Sequence, residues 1–279
     1  MSKKQVALIT GVSSGIGRAI ATLLSSEGFQ VFGTMRKPPE RDRQPGDVQM
    51  VQLDVRLPES IQSCVRSVLD AAGRIDVLVN NAGYTWIGAL EETSVEDARN
   101  LFDTNFFGVL CMSQAVLAVM RQQSYGRIIN IGSLAGFVPI PFQGAYSASK
   151  RAIEGLSESL DHEVRQFGVR VSVIEPGFTR TDIDHNRQVA GHLLAPYASA
   201  GHHVLSINPE NIARGEDPAK VASLVLKAVR SRSPRLRYLA GRQATLTNLA
   251  LKFLPSALFD LGLRKQFGLA AKDGYVHDS

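Results

Sequence analysis

A tyrosine and a lysine stand four residues apart in the segment Tyr146-Ser-Ala-Ser-Lys150. Residues at this spacing share one face of a helix, so the two side chains would lie side by side. A neighbouring ammonium group favours the phenolate, which lowers a tyrosine pKa from its ordinary value of about 10. Such a tyrosine can exchange a proton with an alcohol or a ketone. The spacing alone is common, and a surface pair on a helix would show it too.

Two further polar residues, Ser133 and Asn105, are placed where they could serve the same chemistry. Ser133 follows the apolar run 127–131, which predicts a strand. Its hydroxyl could hold the reacting oxygen beside the tyrosine, although a simple serine turn would look the same. Asn105 lies within a predicted helix over 94–122, where asparagine is a poor helix former. It could hold a water that links the lysine to solvent, or it could be a satisfied buried amide.

A glycine-rich turn, Thr10-Gly-Val-Ser-Ser-Gly-Ile-Gly17, joins the first predicted strand to a predicted helix over 16–26. Its three glycines would, in order, permit a tight turn, let the backbone approach a pyrophosphate, and allow close packing of helix on strand. Helix N-termini bind anions because their free N–H groups and the helix dipole favour negative charge. The turn therefore predicts a dinucleotide-binding loop. The alternative is a glycine-rich turn without a ligand.

The end of the second predicted strand distinguishes between two dinucleotides. NAD enzymes usually place an acidic residue there, about 20 residues past the glycines, to hold the ribose 2′-OH. This chain has Thr34-Met-Arg-Lys37 at that point and no acid until Glu40. Arg36 and Lys37 would suit a 2′-phosphate, with Ser13 as a helper. We therefore expect NADP(H) to be favoured over NAD(H), unless both basic residues are only solvated loop charges.

Two more strand ends carry candidate binding residues. Asp54 follows the predicted strand 48–53 and could accept a hydrogen bond from the adenine amino group, or cap the helix predicted over 58–72. Asn80-Asn-Ala-Gly83 ends the predicted strand 75–79. Ligands of doubly wound sheets lie outside the carboxyl ends of the strands. Small residues there would let the backbone approach the adenosine half of a dinucleotide; a loop-forming turn would look the same.

Strands and helices alternate through the first two thirds of the chain. Several predicted strands are apolar throughout, which indicates a parallel sheet covered on both faces. Right-handed crossovers make this a doubly wound α/β fold of the Rossmann type. No boundary divides the chain, so we expect a single domain over 1–279. The remaining predicted elements are strands over 30–34, 169–174 and 236–240, helices over 143–167 and 217–230, and a loop over 37–47.

The pattern becomes less regular after Pro176. We expect residues 178–215 to form a mobile segment with short helices. Its histidines lack the spacing of metal ligands, so we expect no metal site; they are His185, His192, His202 and His203. Residues 242–279 form a basic, apolar C-terminal extension. Four alternatives remain open for residues 243–270: an amphipathic membrane-surface helix, a substrate lid, a dimer face, or plain core packing with solvated charges.

Composition narrows the class of protein. The 279 residues are 44% hydrophobic and 20% charged, which excludes disorder and coiled coil. Two cysteines without a pairing pattern fit a reducing compartment, and no apolar signal segment is found, so we expect a cytoplasmic location.

The uncharged stretches 128–149 and 188–209 are interrupted by polar or helix-breaking residues, so we expect no transmembrane segment. Residues 212–279 hold 12 Lys/Arg against 5 Asp/Glu, but no nucleic-acid-reading motif accompanies the charge, so we expect no nucleic-acid partner.

The glycine turn, the segment Asn80–Gly83 and the polar residues Asn105, Ser133, Tyr146 and Lys150 stand in a characteristic order and spacing. In this respect the chain resembles the short-chain dehydrogenase/reductase family over about residues 5–180. The resemblance implies a Rossmann-type domain, alcohol–carbonyl interconversion with NAD(P), and substrate recognition within 178–215. It also implies a threonine, Thr179 or Thr181, near the nicotinamide carboxamide.

The family also implies individual roles for the polar residues. Tyr146 would donate and accept the proton, and Ser133 would orient the carbonyl. Lys150 would hold the nicotinamide ribose and tune the tyrosine, while Asn105 would anchor a water. The full cofactor-binding set expected is Gly11, Ser13, Ser14, Gly15, Ile16, Gly17, Arg36, Asp54, Val55, Asn81, Ala82, Gly83, Tyr146, Lys150, Pro176, Gly177 and Thr179.

A narrower resemblance points to the branch of estrogenic 17β-hydroxysteroid dehydrogenases and photoreceptor-type retinol dehydrogenases. It rests on the glycine turn, Thr34–Lys37, Leu53–Arg56 and Tyr146–Leu160. Those enzymes prefer NADP(H) and bulky lipophilic substrates. The implied function is NADP(H)-dependent interconversion of a secondary alcohol and a ketone on a steroid-, retinoid- or acyl-like substrate; the alternative is a non-catalytic NADP(H)-binding regulator. A homodimer or homotetramer built on the two long helices is implied, and peripheral membrane contact stays open.

Overall fold

A seven-stranded parallel sheet forms the centre of the molecule. The computed structural model describes residues 4–37, 48–181 and 187–269. In the sheet the strands run in the order β3-β2-β1-β4-β6-β7-β9, while β5 and β8 pair separately. This order confirms the predicted doubly wound α/β fold. The strands are β1 (Val6–Ile9), β2 (Gln30–Met35), β3 (Val48–Gln52), β4 (Val77–Asn80), β5 (Trp86–Ile87), β6 (Gly126–Ile131), β7 (Val169–Pro176), β8 (Gln188–Val189) and β9 (Arg237–Ala240).

Helices cover both faces of the sheet. Side chains of β1 alternate between the faces: Ala7 and Ile9 pack with one set of helices, and Val6 and Leu8 with the other. One layer contains α1 and α7; the other contains α2, α4 and α5. The helices are α1 (Gly15–Ser26), α2 (Pro58–Ala72), α3 (Val95–Phe102), α4 (Gly108–Gln122), α5 (Gly144–Val164), α6 (Ala195–Ala213), α7 (Pro218–Arg230), α8 (Arg242–Phe253) and α9 (Ser256–Gln266).

The helix predicted over 94–122 is interrupted. It consists of α3, a π-helical turn over Asp103–Phe107, and α4. The whole stretch 95–122 is long and apolar enough to cross a membrane by length and composition. In this fold, however, Met112 and Met120 of α4 are fully buried in the core beneath the sheet. We therefore assign the stretch to the packed layer of the domain.

The segment 178–215 differs from the expectation of short helices. Residues Ala195–Ala213 form one helix of 19 residues, α6, although it contains Pro209. Val204 of this helix is buried with Ile87 and Phe267, and such tertiary packing outweighs weak local propensity. His192, His202 and His203 are exposed, whereas His185 lies outside the described residues. Within the described ranges, no three His, Cys, Asp or Glu side chains gather as a metal site would require.

The C-terminal extension forms two helices, α8 and α9, that pack loosely on the body. Of the described residues 242–269, only Ala244 and Phe267 are buried. Of the four alternatives for 243–270, plain core packing is therefore wrong for most of the described residues. Residues 38–47, which include most of the predicted loop, lie outside the described ranges, as do 270–279.

Candidate active site

The first turns of α5 bring Tyr146 and Lys150 to the carboxyl edge of the sheet. Both side chains are buried, and the Lys150 Nζ atom lies 5.8 Å from the centroid of the tyrosine ring. The same Nζ donates a hydrogen bond of 2.9 Å to the Ile131 carbonyl oxygen, at the end of β6. The pair is thus not a surface pair, because it is held against the strand that ends just before Ser133.

The Tyr146 hydroxyl meets two other hydroxyl groups. Ser133 and Thr85 line the same pocket, and both hydroxyls act to lower the Tyr146 pKa. Ser133 lies two residues after the end of β6, and its Oγ accepts a bond of 3.1 Å from the Ala135 N–H. The structure therefore brings Ser133, Tyr146 and Lys150 together as the sequence predicts. Thr85 was missed, because its position beside the tyrosine depends on how the chain turns after β4.

Burial sets the protonation of this cluster. It raises the pKa of Tyr146, and the Ser133 and Thr85 hydroxyls offset that rise only in part. Burial also lowers the pKa of Lys150 to about 8. Desolvation is the largest cause acting on the Tyr146 pKa, and the predicted lowering by Lys150 together with an oxidised nicotinamide stays a prediction. At neutral pH the tyrosine is therefore a phenol that holds a proton to donate.

Asn105 lies in the π-helical turn between α3 and α4 and is fully buried. Its Nδ2 donates to the Tyr84 carbonyl oxygen at 3.0 Å and to Ser149 Oγ at 3.2 Å. Its Oδ1 accepts from the Tyr84 N–H at 3.1 Å. These bonds match the alternative of a satisfied amide that ties β4's exit to α5. Its role in anchoring a water stays a prediction.

The glycine turn has the shape that the sequence predicts. Gly11 and Gly15 have φ values of +71° and +57°, which favour glycine. A Cβ on Gly17 would lie 2.2 Å from the Gly11 carbonyl oxygen, so no side chain fits there. Asn81 holds the turn by donating bonds of 2.9 and 2.8 Å to the Thr10 and Gly11 carbonyl oxygens. Asn81 thus has a structural role that the sequence did not suggest.

A long groove of about 660 Å³ runs from this turn across the ends of β2, β3 and β4. Arg36 is exposed at the rim of this groove. The neighbouring Lys37 is not among the described residues that line the groove. The predicted residues along the groove are Gly11, Ser13, Ser14, Gly15, Ile16, Arg36, Asp54, Val55, Asn81, Ala82 and Gly83.

Asp54 is paired with Arg56 in this groove. Arg56 Nη2 lies 2.7 Å from Asp54 Oδ2, and its Nε donates to Oδ1 at 3.0 Å. The arginine lowers the pKa of the Asp54 carboxyl, chiefly through that side-chain hydrogen bond. Asp54 is not the cap of α2, since the residue before that helix is Leu57. The suggested adenine contact stays a prediction, and Arg56 is a groove residue to which the sequence analysis gave no role.

A smaller pocket of about 130 Å³ opens beside Tyr146. Most of its wall is apolar, and it is lined by Ile16, Leu134, Ile140, Phe178 and Ile212, among others. Pro176, Gly177 and Thr179 also line it, as predicted. Thr181 lines both this pocket and the long groove, so it lies where the two meet. Buried Gln143 and Asn208 add polar groups that the sequence did not single out.

These features fit a bound dinucleotide. Among the residues described, the first turn of α1 has no acidic side chain, and the Ser14 side chain makes no capping hydrogen bond. The backbone N–H groups of this first turn can therefore donate hydrogen bonds to an anion. The glycine turn leaves room for a pyrophosphate, and at Thr181 the groove meets the pocket that Tyr146 and Lys150 line. The pyrophosphate would be held by Ser14, Gly15 and Ile16, and the nicotinamide end would lie near the pocket.

Comparison with known proteins decides the family. The model of the short chain dehydrogenase family matches residues 5–190. The chain belongs to that family. It is an NAD(P)-dependent oxidoreductase that acts on CH–OH groups, and its resemblance to the hydroxysteroid dehydrogenase branch is confirmed. The 3-ketodihydrosphingosine reductase of Bacteroides thetaiotaomicron is 39% identical, over 93% of this chain and 97% of its own. Estradiol 17-beta-dehydrogenase 1 of Rattus norvegicus is 35% identical, over 90% and 75%.

Solved structures support the same assignment. A short-chain dehydrogenase from Streptomyces avermitilis has a TM-score of 0.80 and 34% identity, with 95% of this chain and 98% of that one covered. A Burkholderia phymatum enzyme in complex with NAD gives a TM-score of 0.78 at 26% identity, covering 90% and 95%. A metagenomic oxidoreductase in complex with NADP gives 0.68 at 31% identity, covering 85% and 97%. A nicotinamide cofactor of one kind or the other is therefore expected in this groove.

Proposed function

We propose that this enzyme uses NADPH to reduce a ketone on a lipophilic substrate to a secondary alcohol. The observation that carries the proposal is the buried Tyr146 side chain, which lines an apolar pocket together with Ser133 and Lys150. The Tyr146 hydroxyl can give its proton to the carbonyl oxygen during reduction and take it back during oxidation. We propose the direction of reduction because a relative of 39% identity is named a reductase.

The reaction steps follow from the placement of the side chains. The Ser133 hydroxyl would donate a hydrogen bond to the substrate carbonyl oxygen and orient it toward the tyrosine. NADPH, when bound, supplies the hydride that goes to the carbonyl carbon. Tyr146 would then transfer its proton to that oxygen, a contribution of roughly 10²–10⁴ in rate. The Lys150 ammonium, just behind, would stabilise the phenolate that this transfer leaves.

NADP(H) preference rests on the rim of the groove. Arg36 is the basic side chain that lines the groove at the end of β2, where a NAD enzyme would usually have an acid. A charge-assisted contact with a 2′-phosphate would select NADPH. Cytoplasmic location and assembly into a homodimer or homotetramer also remain our proposals, the latter through α4 and α5.

The substrate class is argued from the pocket and from the relatives. Leu134, Ile140 and Ile212 give the pocket an apolar wall, whereas Gln143 and Asn208 could bind a polar group near the ketone. The names of two relatives specify a long-chain amino ketone and a steroid. We propose a ketone that carries a long alkyl chain or a fused-ring body, with a polar group close to the carbonyl.

A spectrophotometric screen of NADPH consumption tests the proposal. The substrates are 3-ketodihydrosphingosine, estrone, retinal, a long-chain fatty-acyl ketone and a small aromatic ketone. We expect turnover with a lipophilic ketone and at least tenfold lower kcat/KM for the aromatic one. NADPH binding without turnover on any ketone would favour the binding regulator instead, and faster turnover of the small ketone would refute the lipophilic pocket.

A further inference from the structure

The C-terminal helices α8 and α9 are joined by a short turn at Leu254 and Pro255; we call the two helices the hairpin and that turn its tip. Thirteen large hydrophobic side chains are exposed in the described part of the chain, and seven of them lie between residues 246 and 261. Every residue from Leu251 to Leu258 is exposed. Phe253, which ends α8, is 79% exposed. Exposed apolar residues concentrated in this way mark an interaction surface.

The exposed side chains follow helical spacing. Leu246, Leu249 and Phe253 stand at i, i+3 and i+7 on α8. Leu258 and Leu261 stand at i and i+3 on α9. Residues at these spacings share one face of a helix. Each helix of the hairpin thus presents an apolar stripe that the rest of the described chain leaves uncovered.

Positive charge marks the base of each stripe. Arg242 precedes Leu246 by one helical turn, and Lys265 follows Leu261 by one turn. Because α8 and α9 run to and from the tip, both cations lie at the end of the hairpin that is attached to the body. Residues 242–266 hold four Lys/Arg and one Asp, and Lys252 near the tip has a long stem that can carry its charge back toward water.

The base of the hairpin is joined to the substrate pocket. Gln243, in the first turn of α8, accepts a hydrogen bond of 3.1 Å from the Phe178 N–H, and Phe178 lines the pocket. Phe267, just after α9, is buried with Ile87 and Val204 and packs near Ile140, another pocket residue. The base of the hairpin therefore adjoins the pocket, while the tip lies one helix length away from it.

We propose that this hairpin docks on an anionic lipid surface, with its tip in the apolar layer and its basal cations at the headgroups. An anionic membrane has charged headgroups at its surface and an apolar layer beneath them. An apolar tip with cations behind it matches that order. A second copy fits less well. A two-fold contact through the stripes would place the basal cations against each other or against the partner's apolar tip. The inference does not depend on which ketone is reduced.

Vesicle co-sedimentation of the full chain without substrate tests the proposal. The vesicles are phosphatidylcholine alone and phosphatidylcholine mixed with phosphatidylglycerol. We expect tighter binding to the mixed vesicles, and salt should weaken it. Phe253→Ser should weaken binding about tenfold. Leu90→Ser is the matched control, because Leu90 is 80% exposed but lies far along the chain from the hairpin; its binding should equal that of the wild type.

A charge variant separates the two contributions to docking. Changing both Arg242→Gln and Lys265→Gln should cost about fivefold per charge on the anionic vesicles, and almost nothing on phosphatidylcholine alone. All of the altered side chains are exposed, and circular dichroism checks that the fold is kept.

Three results would overturn the proposal. The first is no binding to the mixed vesicles. The second is binding that Phe253→Ser leaves unchanged, which would place the lipid contact elsewhere. The third is a sedimentation-velocity mass that Phe253→Ser reduces from dimer to monomer, which would show that a second copy covers the tip. The vesicle and sedimentation experiments contain no ketone, so their results can be interpreted even if the proposed reduction is not observed.

Discussion

Replacing Arg36 by Asp should reverse the cofactor preference. Arg36 is exposed and lines the groove near Asp54, whose carboxyl feels its charge. A hydrogen bond to a charged group contributes about 1.5–3 kcal/mol. Exposure to solvent and salt reduces that contribution, so we take the lower end, which corresponds to roughly a 10- to 30-fold preference for NADPH.

The substitution should act through two effects. It removes the contact with the 2′-phosphate, and it introduces a carboxylate that repels the phosphate and can accept from a free 2′-OH. Arg56, which already pairs with Asp54, could bind the new carboxylate as well and so limit the gain for NADH. We therefore expect loss of NADPH efficiency to exceed the gain of NADH efficiency.

Lys37→Asp provides a matched control. Lys37 is the adjacent residue, has the same charge and is also exposed, but it is not among the described lining of the groove. The assay is the ratio of kcat/KM for NADPH and NADH in the wild type and in both variants, at low and high salt. A wild type that prefers NADH, or equal changes in the two variants, would show that Arg36 acts only as a general surface charge.

Three other predictions concern the catalytic centre and the glycine turn. Tyr146→Phe should lower kcat by roughly 10²–10⁴ while the NADPH dissociation constant changes only a few-fold; activity above about 1% would contradict the proton-donor role. Lys150→Met should weaken cofactor binding and activity together. Because the Lys150 pKa is lowered to about 8, kcat/KM for reduction should fall above that pH as the ammonium is lost. Lys150→Arg should move that decline to higher pH, so a decline near 8 that persists in this variant would assign it to another group. Gly17→Ala should abolish NADPH binding in fluorescence titration, since its Cβ would lie 2.2 Å from a backbone oxygen, whereas Gly155→Ala, with no atom within 4 Å, should leave binding unchanged.

The sheet and the central triad could be predicted because each depends on a local pattern. Apolar runs bounded by turns place the strands, and the carboxyl ends of parallel strands meet at one edge, which brings Ser133 near Tyr146. Contacts fixed by three-dimensional packing could not be found in this way. Thr85 lies beside the tyrosine because of how the chain turns after β4, and Asn81 bonds to the glycine turn because β4 pairs directly with β1.

Packing that the sequence does not show also explains why α6 and α8 differ from the sequence-based expectations. Pro209 and Gly201 suggest helix breaks in 195–213, yet burial of Val204 against the body keeps α6 continuous. Leucines of α8 suggest core packing, yet Leu246, Leu249 and Leu251 are exposed in the part of the chain that the structure describes. Periodicity shows which face of a helix is apolar; it does not show what that face meets.

Burial links the choice of substrate to the pH dependence of the reaction. The apolar wall of the pocket would favour a lipophilic ketone, and the desolvation it provides raises the pKa of Tyr146. Reduction uses the protonated hydroxyl and oxidation of the alcohol uses the phenolate, so this pKa sets how each rate depends on pH, whereas the equilibrium between ketone and alcohol is independent of the enzyme. A substrate with a longer apolar body excludes more water from the pocket and should raise the Tyr146 pKa further. For this reason we expect the pH at which oxidation becomes fast, measured from the pH profile of kcat/KM, to increase with the apolar bulk of the alcohol.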